Sequence, residues 1–340
     1  MSNVINVGVI GLGMMGLTHL DAYAKRKDVR VVAVSDKDPK RLSGEVRAAG
    51  NVDGQAQGGF DLSTAKKYTE GVDLIKDKEI DVVDICLPTH MHVDFALLAL
   101  KKGKHVLVEK PLARTARDAN KLAKAAAKAK GLSMCAMCMR FWPGWAWLKD
   151  AVNDGRYGKV LAAQFRRVAA HPGGFFYSNG ELSGGAILDL HIHDTDFVHF
   201  LFGVPKAVES RGYSSVTTAI DHVSTHYIYD HIPLVVAEGG WAMAPKFSFK
   251  MAYTVNFERA TANYEMGANP LTIYEPGKEP KVVELDPRMG YDLEIDYFIN
   301  CINSNQKPAT VTLDDAAKTI AIIEAEEKSV RTGKPVKVKA

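Results

Sequence analysis

Near the start of the chain the apolar run Val7-Gly8-Val9-Ile10 leads without a break into Gly11-Leu12-Gly13-Met14-Met15-Gly16. An apolar strand that turns into a helix through glycines at the first, third and sixth positions is the opening of a βαβ unit. Gly11 permits the tight turn out of the strand, Gly13 lets the backbone approach a ligand, and Gly16 lets the helix pack on the sheet. The helix N-terminus adds unpaired N–H groups and partial positive charge, which suit a pyrophosphate. A second β-branched run, Val29 to Val34, is followed at Asp36 by a carboxylate placed to accept hydrogen bonds from ribose hydroxyls. A generic strand-turn-helix needs the glycines but not the acid. The combination predicts a dinucleotide site at Gly11, Leu12, Gly13, Met14, Met15, Gly16 and Asp36. Asp36 would repel the 2′-phosphate of NADP, so NAD is the expected cofactor. Lys37 and Arg41 either neutralise that phosphate, which would admit NADP, or are solvated residues at a helix edge.

A chain of 340 residues, 46% of them hydrophobic, can bury two cores. Net charge is +3 with no block of like charge, so neither nucleic acid nor an acidic membrane surface is an expected partner. No apolar stretch approaches the length of a membrane span. The first strand starts within a few residues of Met1, no cleavable leader is expected, and a cytoplasmic location follows. Four cysteines fit a reducing compartment. Cys135 and Cys138 form a C-x-x-C without a second such pair, in Leu132 to Met139, which reads as a strand. Two packed thiols are favoured there over a zinc half-site, and no metal is expected.

Residues 1–130 alternate strands and helices: strands Asn6–Ile10, Val29–Ser35, Ile80–Leu87 and His105–Glu109, helices Met14–Ala24, Pro39–Ala48, Met91–Lys102 and Ala116–Lys130. This is the pattern of a doubly wound parallel sheet. Gly50 to Thr64 reads as a surface loop. Beyond Trp147 alternating segments such as His222 to Tyr229 and turns at Asp230-His231 and Pro276-Gly277 predict an antiparallel sheet. Helices near Asp189–Phe202, Tyr291–Asn303 and Leu313–Arg331 flank it. The expected fold is α/β, a Rossmann domain over 1–130 followed by an α+β domain over 131–340 with an open, mostly antiparallel sheet.

Two places carry candidate chemistry. The strand His105–Val108 delivers Glu109-Lys110-Pro111 at its carboxyl end, the edge of a parallel sheet where ligands bind. Lys110 there is either a proton-transfer or substrate-orienting group or a solvated loop lysine. In the stretch Ser183 to Asp196, Asp189, His193 and Asp196 are spaced four and three apart and would share one helix face. That histidine suits proton exchange with a hydroxyl or carbonyl. The competing readings are an N-cap at Asp189, interior histidines, and a metal site at His191, His193 and Asp196. The aromatic clusters Phe141 to Trp147 and Phe175 to Tyr177 could stack on a sugar face, although packing explains most of them. Arg166, Arg167 and His171 could meet an anion, with at most one arginine facing it because neighbours on a strand point opposite ways. Arg140, Trp142, Arg166, His171 and His191 are the candidate substrate contacts.

Taken in order, these motifs resemble the glucose-fructose oxidoreductase, inositol dehydrogenase and rhizopine catabolism (Gfo/Idh/MocA) family over essentially the whole chain. The similarity runs through Gly11 to Gly16, Asp36, Leu87 to His92, Gly103 to Pro111, Arg140-Phe141 and Gly184-Gly185 to Asp189, His193 and Asp196. It implies catalytic roles for Lys110, Asp189 and His193, and places Leu87, Pro88, Thr89, His92, Glu109 and Lys110 along the cofactor. It implies hydride transfer between nicotinamide and a hydroxyl or keto carbon of a sugar, sugar derivative or polyol, and a homodimer or homotetramer formed through the second-domain sheet. A glycosidase that oxidises its substrate transiently with bound NAD, or a non-catalytic dinucleotide-binding regulator, are the alternatives. Two positions depart from the family pattern. His191 stands where a small residue is usual, and Ser183 where a triple glycine often begins.

Overall fold

The computed structural model describes residues 4–45 and 61–339 and divides into two compact units. The first comprises residues 1–138 and 289–317, the second 139–288 and 318–340. The division is thus not a single cut, because a late segment returns to the first unit.

In the first unit, β1 (Ile5–Ile10), α1 (Met14–Ala24), β2 (Val29–Ser35), α2 (Pro39–Ser43), β3 (Lys66–Tyr68), α3 (Gly71–Lys76), β4 (Val82–Ile85), α4 (Thr89–Lys101), β5 (His105–Glu109), α5 (Ala116–Ala126) and β6 (Ser133–Ala136) alternate as the sequence predicts. The six strands are parallel in the order β3-β2-β1-β4-β5-β6. This is the Rossmann order, whose direction reverses between β1 and β4, so ligands are expected beyond the carboxyl ends of those strands. Val7, Val9, Val82, Val83, Ile85, Val106, Leu107 and Val108 are buried, as strands covered on both faces must be.

Several boundaries differ from the sequence reading. The short pair β3 and α3 was not anticipated, since a three-residue edge strand carries too little apolar pattern to stand out. Helix Pro39–Ala48 is seen only as α2, and its last residues, with most of the loop Gly50–Thr64, lie outside the described residues. Strand Leu132–Met139 ends at Ala136 and passes into a 3-10 turn at Cys138–Arg140, so Cys135 lies on a strand and Cys138 on a turn, both as buried thiols.

The second unit holds α6 (Pro143–Asp154), β7 (Val160–Ala170), α7 (Phe175–Ser178), α8 (Gly180–Ser183), α9 (Gly185–Asp189), α10 (Ile192–Phe202), β8 (Ala207–Tyr213), β9 (His222–Ile228), β10 (Leu234–Met243), β11 (Lys250–Phe257), β12 (Thr261–Glu265), β13 (Asn269–Tyr274) and β14 (Lys281–Val282). After α11 (Gly290–Asn303), which belongs to the first unit, α12 (Leu313–Thr332) and β15 (Val336–Lys337) complete the chain. Its nine-stranded sheet runs β14-β13-β12-β11-β7-β10-β9-β8-β15, antiparallel except for the parallel pair β7 and β10. One face alternates inward through Ala163, Phe165 and Arg167 of β7, Val235 and Ala237 of β10, and Tyr253 and Val255 of β11. Phe197 of α10 and Trp145 of α6 pack edge-on against Phe165 and Tyr253 of that face.

This second core contains charge-bearing residues. Glu326 of α12, Tyr227 of β9, Thr195 of α10 and His191 are all fully or nearly fully buried. Thr195 Oγ1 donates to Glu326 Oε1 at 3.0 Å, and Tyr227 Oη lies 3.0 Å from Thr195 Oγ1 and 3.3 Å from His191 Nε2. Burial pushes the Glu326 carboxyl up to about 8. Burial, together with Arg167 and His222, pulls the His191 imidazole down to about 3. The network is therefore neutral near pH 6, which limits the cost of placing it inside.

The two groups pull stability in opposite directions. Between the ordinary carboxyl value of 4.5 and about 8, the folded state holds a proton at Glu326 that the unfolded state lacks, so stability falls as pH rises. Between about 3 and the ordinary imidazole value of 6.5, the unfolded state holds a proton that buried His191 lacks, so stability rises with pH. Their sum predicts a rise up to about pH 4.5, a plateau to about 6.5 and a decline to about pH 8, with limbs of about 1.4 kcal/mol per pH unit. Between pH 6.5 and 8 the urea midpoint should fall less steeply in Glu326→Gln than in the natural protein, because one of the protons held only by the folded state is gone; parallel curves would refute the assignment.

Candidate active site

The dinucleotide loop is built from contacts that only glycine permits. Gly11 has φ +94°, and a Cβ there would lie 2.3 Å from the carbonyl oxygen of Cys86, just beyond β4. A Cβ on Gly16 would lie 1.9 Å from Gly11 O, so α1 starts tight against the turn that precedes it. Gly13 differs in that an added Cβ would meet nothing nearer than Arg41 Nη1 at 4.0 Å, which leaves space over the loop. Gly13 is also the N-cap of α1 and offers no side chain to the first-turn N–H groups of Met14 and Met15. These groups suit a pyrophosphate. The Asp36 carboxylate accepts from Leu12 N at 2.8 Å and from Asp38 N at 2.9 Å, which fixes it at the end of β2. Arg41 Nη1 stands 3.6 Å from Asp36, and Lys37 is exposed. The loop, the uncapped helix and the anchored acid fit a dinucleotide. The Leu12 N–H is spent on Asp36, so Leu12 shapes the loop more than it offers a donor.

The second cluster lies at the carboxyl ends of β4 and β5. Lys110 is half-buried immediately after β5, and its peptide N–H donates to Glu109 Oε2 at 3.0 Å. Pro88 is the N-cap of α4, and Thr89 is buried behind it. His92, expected along the cofactor, is instead interior. Its Nε2 lies 2.6 Å from Leu87 O and its Nδ1 2.8 Å from Pro111 O, so the ring ties two loops together. Burial pulls its pKa down.

In the second unit the stretch Gly185 to Asp196 is not one helix. Asp189 ends α9, Leu190 and His191 form a bend, and α10 begins at Ile192, with His193 N bonded to Leu190 O. The expectation that Asp189, His193 and Asp196 share a helix face is thereby corrected. Asp196 points inward and takes a two-pronged ion pair from Arg140, Nη2 to Oδ1 at 2.7 Å and Nε to Oδ2 at 2.8 Å, both residues buried. Asp194 is likewise paired with Arg167 at 2.7 Å. His191 is buried, and a Cβ on Gly239 of β10 would lie 2.4 Å from its Nδ1, so that glycine supplies the space which lets an imidazole stand where a small residue is usual. Asp189 and His193 remain half-exposed.

The expected substrate contacts lie mostly in the interior or in ion pairs. Arg140, Trp142 and His191 are interior, the first because it neutralises Asp196. Arg166 projects from the other face of β7, where it pairs with Glu238 at 2.8 Å, so both adjacent arginines stand in ion pairs. His171 is half-buried, accepts from Gly173 N at 3.1 Å and packs edge-on to Trp241, beside which Tyr177 also lies. The metal alternative at His191, His193 and Asp196 loses two of its three ligands to Tyr227 and Arg140. Sequence reasoning missed the interior partners Asp84, Tyr23, His19 and Glu326. For Glu326 the one available signal was helical spacing, since Thr319, Ile322, Glu326 and Ser329 form a buried stripe on α12 in which an acid stands among one apolar and two hydroxyl side chains.

Removing one member of a buried ion pair leaves the other charge unpaired, at a cost of about 3–5 kcal/mol. Arg140→Met should therefore lower the denaturation midpoint markedly. A variant of natural stability would return Arg140 to the list of ligand contacts.

Comparison with known proteins agrees with this geometry. Residues 5–136 match the GFO/IDH/MocA oxidoreductase family with its NAD-binding Rossmann fold, and residues 145–263 match the GFO/IDH/MocA C-terminal domain. Inositol 2-dehydrogenase of Salmonella typhimurium (strain LT2) is 28% identical over 97% of this chain and 95% of its own length. Myo-inositol 2-dehydrogenase of Thermotoga maritima is 30% identical over 58% of this chain and 55% of its own length. D-glucoside 3-dehydrogenase of Escherichia coli (strain K12) is 27% identical over 64% and 60%. Among solved structures, levoglucosan dehydrogenase in complex with NADH and levoglucosan superposes with a TM-score of 0.86 at 19% identity, covering 99% of this chain and 100% of that one. At that identity the likeness speaks for the fold. No helix among the described residues is long and apolar enough to cross a membrane. With both domain models matched in order, and with a glycine loop, an anchored acid after β2 and a lysine at the end of β5, the chain belongs to the Gfo/Idh/MocA family of NAD-dependent oxidoreductases.

Proposed function

We propose that the protein oxidises a secondary hydroxyl of a sugar, sugar derivative or polyol with NAD, or reduces the corresponding ketone. The carrying observation is selective exposure. Of the ionisable side chains between residues 189 and 196, Asp194, Asp196 and His191 are buried in paired networks, while Asp189 and His193 stay half-open, as does Lys110 in the first unit. The names of the relatives, dehydrogenases of inositol and of a glucoside, support the substrate class.

Nicotinamide, when bound, supplies the carbon that accepts or returns hydride. The chain's own groups handle the proton and the oxygen. His193 takes the hydroxyl proton in oxidation and returns it in reduction, Lys110 orients and polarises the oxygen, and Asp189 positions a substrate hydroxyl or the imidazole. Gly11, Gly13, Met14, Met15, Gly16 and Asp36 hold the cofactor. Asp36 argues for NAD, and the neighbouring Arg41 guanidinium is what would admit NADP. Self-association through the solvent-facing side of the nine-stranded sheet, to a dimer or tetramer, and a cytoplasmic location complete the proposal; sedimentation would read the former.

The test is nicotinamide absorbance with NAD and separately NADP against polyols, aldoses, uronates and glycosides, with products identified by mass. Substrate-dependent NADH formation is the expected outcome. Glycoside cleavage without net NADH, or no chemistry in the presence of tight NAD binding, would overturn it. Lys110→Ala and His193→Ala should each leave NADH affinity within about threefold and lower turnover by about 10²-fold or more. Asp36→Ser should narrow the preference for NAD over NADP by about tenfold or more, because it removes the charge that opposes the 2′-phosphate.

A further inference from the structure

Beneath the dinucleotide loop, the first unit buries an ionisable cluster that the proposed chemistry does not use. His19, on the inner face of α1, is fully buried. Its Nδ1 lies 2.9 Å from Asp84 Oδ2 of β4, and its Nε2 lies 3.2 Å from Glu109 Oε1 at the end of β5, off the hydrogen-bond line but at ion-pair distance. Tyr23 Oη donates to Asp84 Oδ2 at 3.0 Å, and Cys86 Sγ lies 3.4 Å from Asp84 Oδ1 and 3.5 Å from His19 Nδ1. His19, Asp84 and Cys86 are close enough together to hold a metal ion, but the ring nitrogen and the carboxylate that would bind it already face each other at hydrogen-bond distance.

We propose that His19 is a standing imidazolium and a positioning residue for Lys110, clamped between the Asp84 and Glu109 carboxylates so that it fixes Glu109 and, through it, the lysine that follows. Carboxylates only accept hydrogen bonds, so a ring with one against each nitrogen is suited to carry both protons. Burial alone would lower the imidazole pKa, but the Asp84 charge holds it well above the ordinary value. Glu109 spends its other oxygen on the Lys110 N–H, so the chain of contacts runs from α1 of the cofactor loop to the backbone of the lysine. The groups facing His19 are Asp84 and Cys86 from the β4 side, Glu109 from β5 and Tyr23 from its own helix, so one cation is set against two carboxylates. A cation here also neutralises Glu109. Without it, Glu109 would favour the charged form of the neighbouring lysine.

The inference rests on Lys110 acting as proposed, but one arm of its test does not. Neutron diffraction from crystals of the whole protein at pD 8 should show deuterium on both ring nitrogens of His19 and none on Asp84 or Glu109. A bare ring nitrogen, or a deuteron on Glu109, would overturn the imidazolium whatever the enzyme's substrate. In kinetics, His19→Gln should keep NADH affinity within about threefold while kcat falls by about tenfold or more. The basic limb of its kcat/KM profile should move to higher pH, a change that mere loss of stability would not produce. Glu109→Gln should lower kcat similarly, and the double variant should lose little beyond either single one, as residues acting through one contact do. If His19→Gln does not fold, the neutron result and the Glu109→Gln profile carry the test. An unshifted profile with natural kcat would sink the positioning role.

Discussion

The tight approach of Gly16 to the carbonyl of Gly11 governs much of what surrounds it. No side chain fits there, so α1 begins against the strand end and its inner face is set in one rotation. That rotation turns His19 and Tyr23 toward Asp84 and leaves Gly13 facing open space above the loop. The same turn brings the backbone beside Cys86 at the end of β4, where the sheet order reverses. The opening for a dinucleotide and the buried acids beneath it are two consequences of one steric requirement.

In the second unit the organising principle is the disposal of charge. Two arginines and two aspartates are buried as matched pairs, and an acid and an imidazole are buried in neutral form. Such pairs add little net stability compared with apolar packing, but they forbid other arrangements, because any register that separated them would strand a charge in the core. Their functional effect is subtractive. With Asp194, Asp196 and His191 buried, Asp189 and His193 are the half-exposed ionisable groups on either side of the bend between α9 and α10.

Much of the first unit was legible because its signals are local. Met14–Ala24, Val29–Ser35 and His105–Glu109 emerge with the bounds that periodicity predicts, since each is a continuous apolar pattern ended by turn chemistry. The antiparallel sheet was legible as a type through its alternation, although its single parallel pair, β7 with β10, was not. Placement was not legible where residue type alone stood in for it. Arg140, Arg166 and His191 carry groups that can hydrogen-bond a ligand, and from sequence alone they resemble ligand contacts. Two of them are internal counterions or partners and the third sits on the other face of a strand.

By itself the sequence determined the alternation of elements, the glycine loop, the acid after β2 and the lysine after β5, because each depends on residues within a few positions of one another. Only the tertiary structure decided which ionisable side chains are spent inside and which remain open. Asp196 meets Arg140 across 56 residues and His19 meets Glu109 across 90, and pairings at such separations are set by how elements pack rather than by any local pattern.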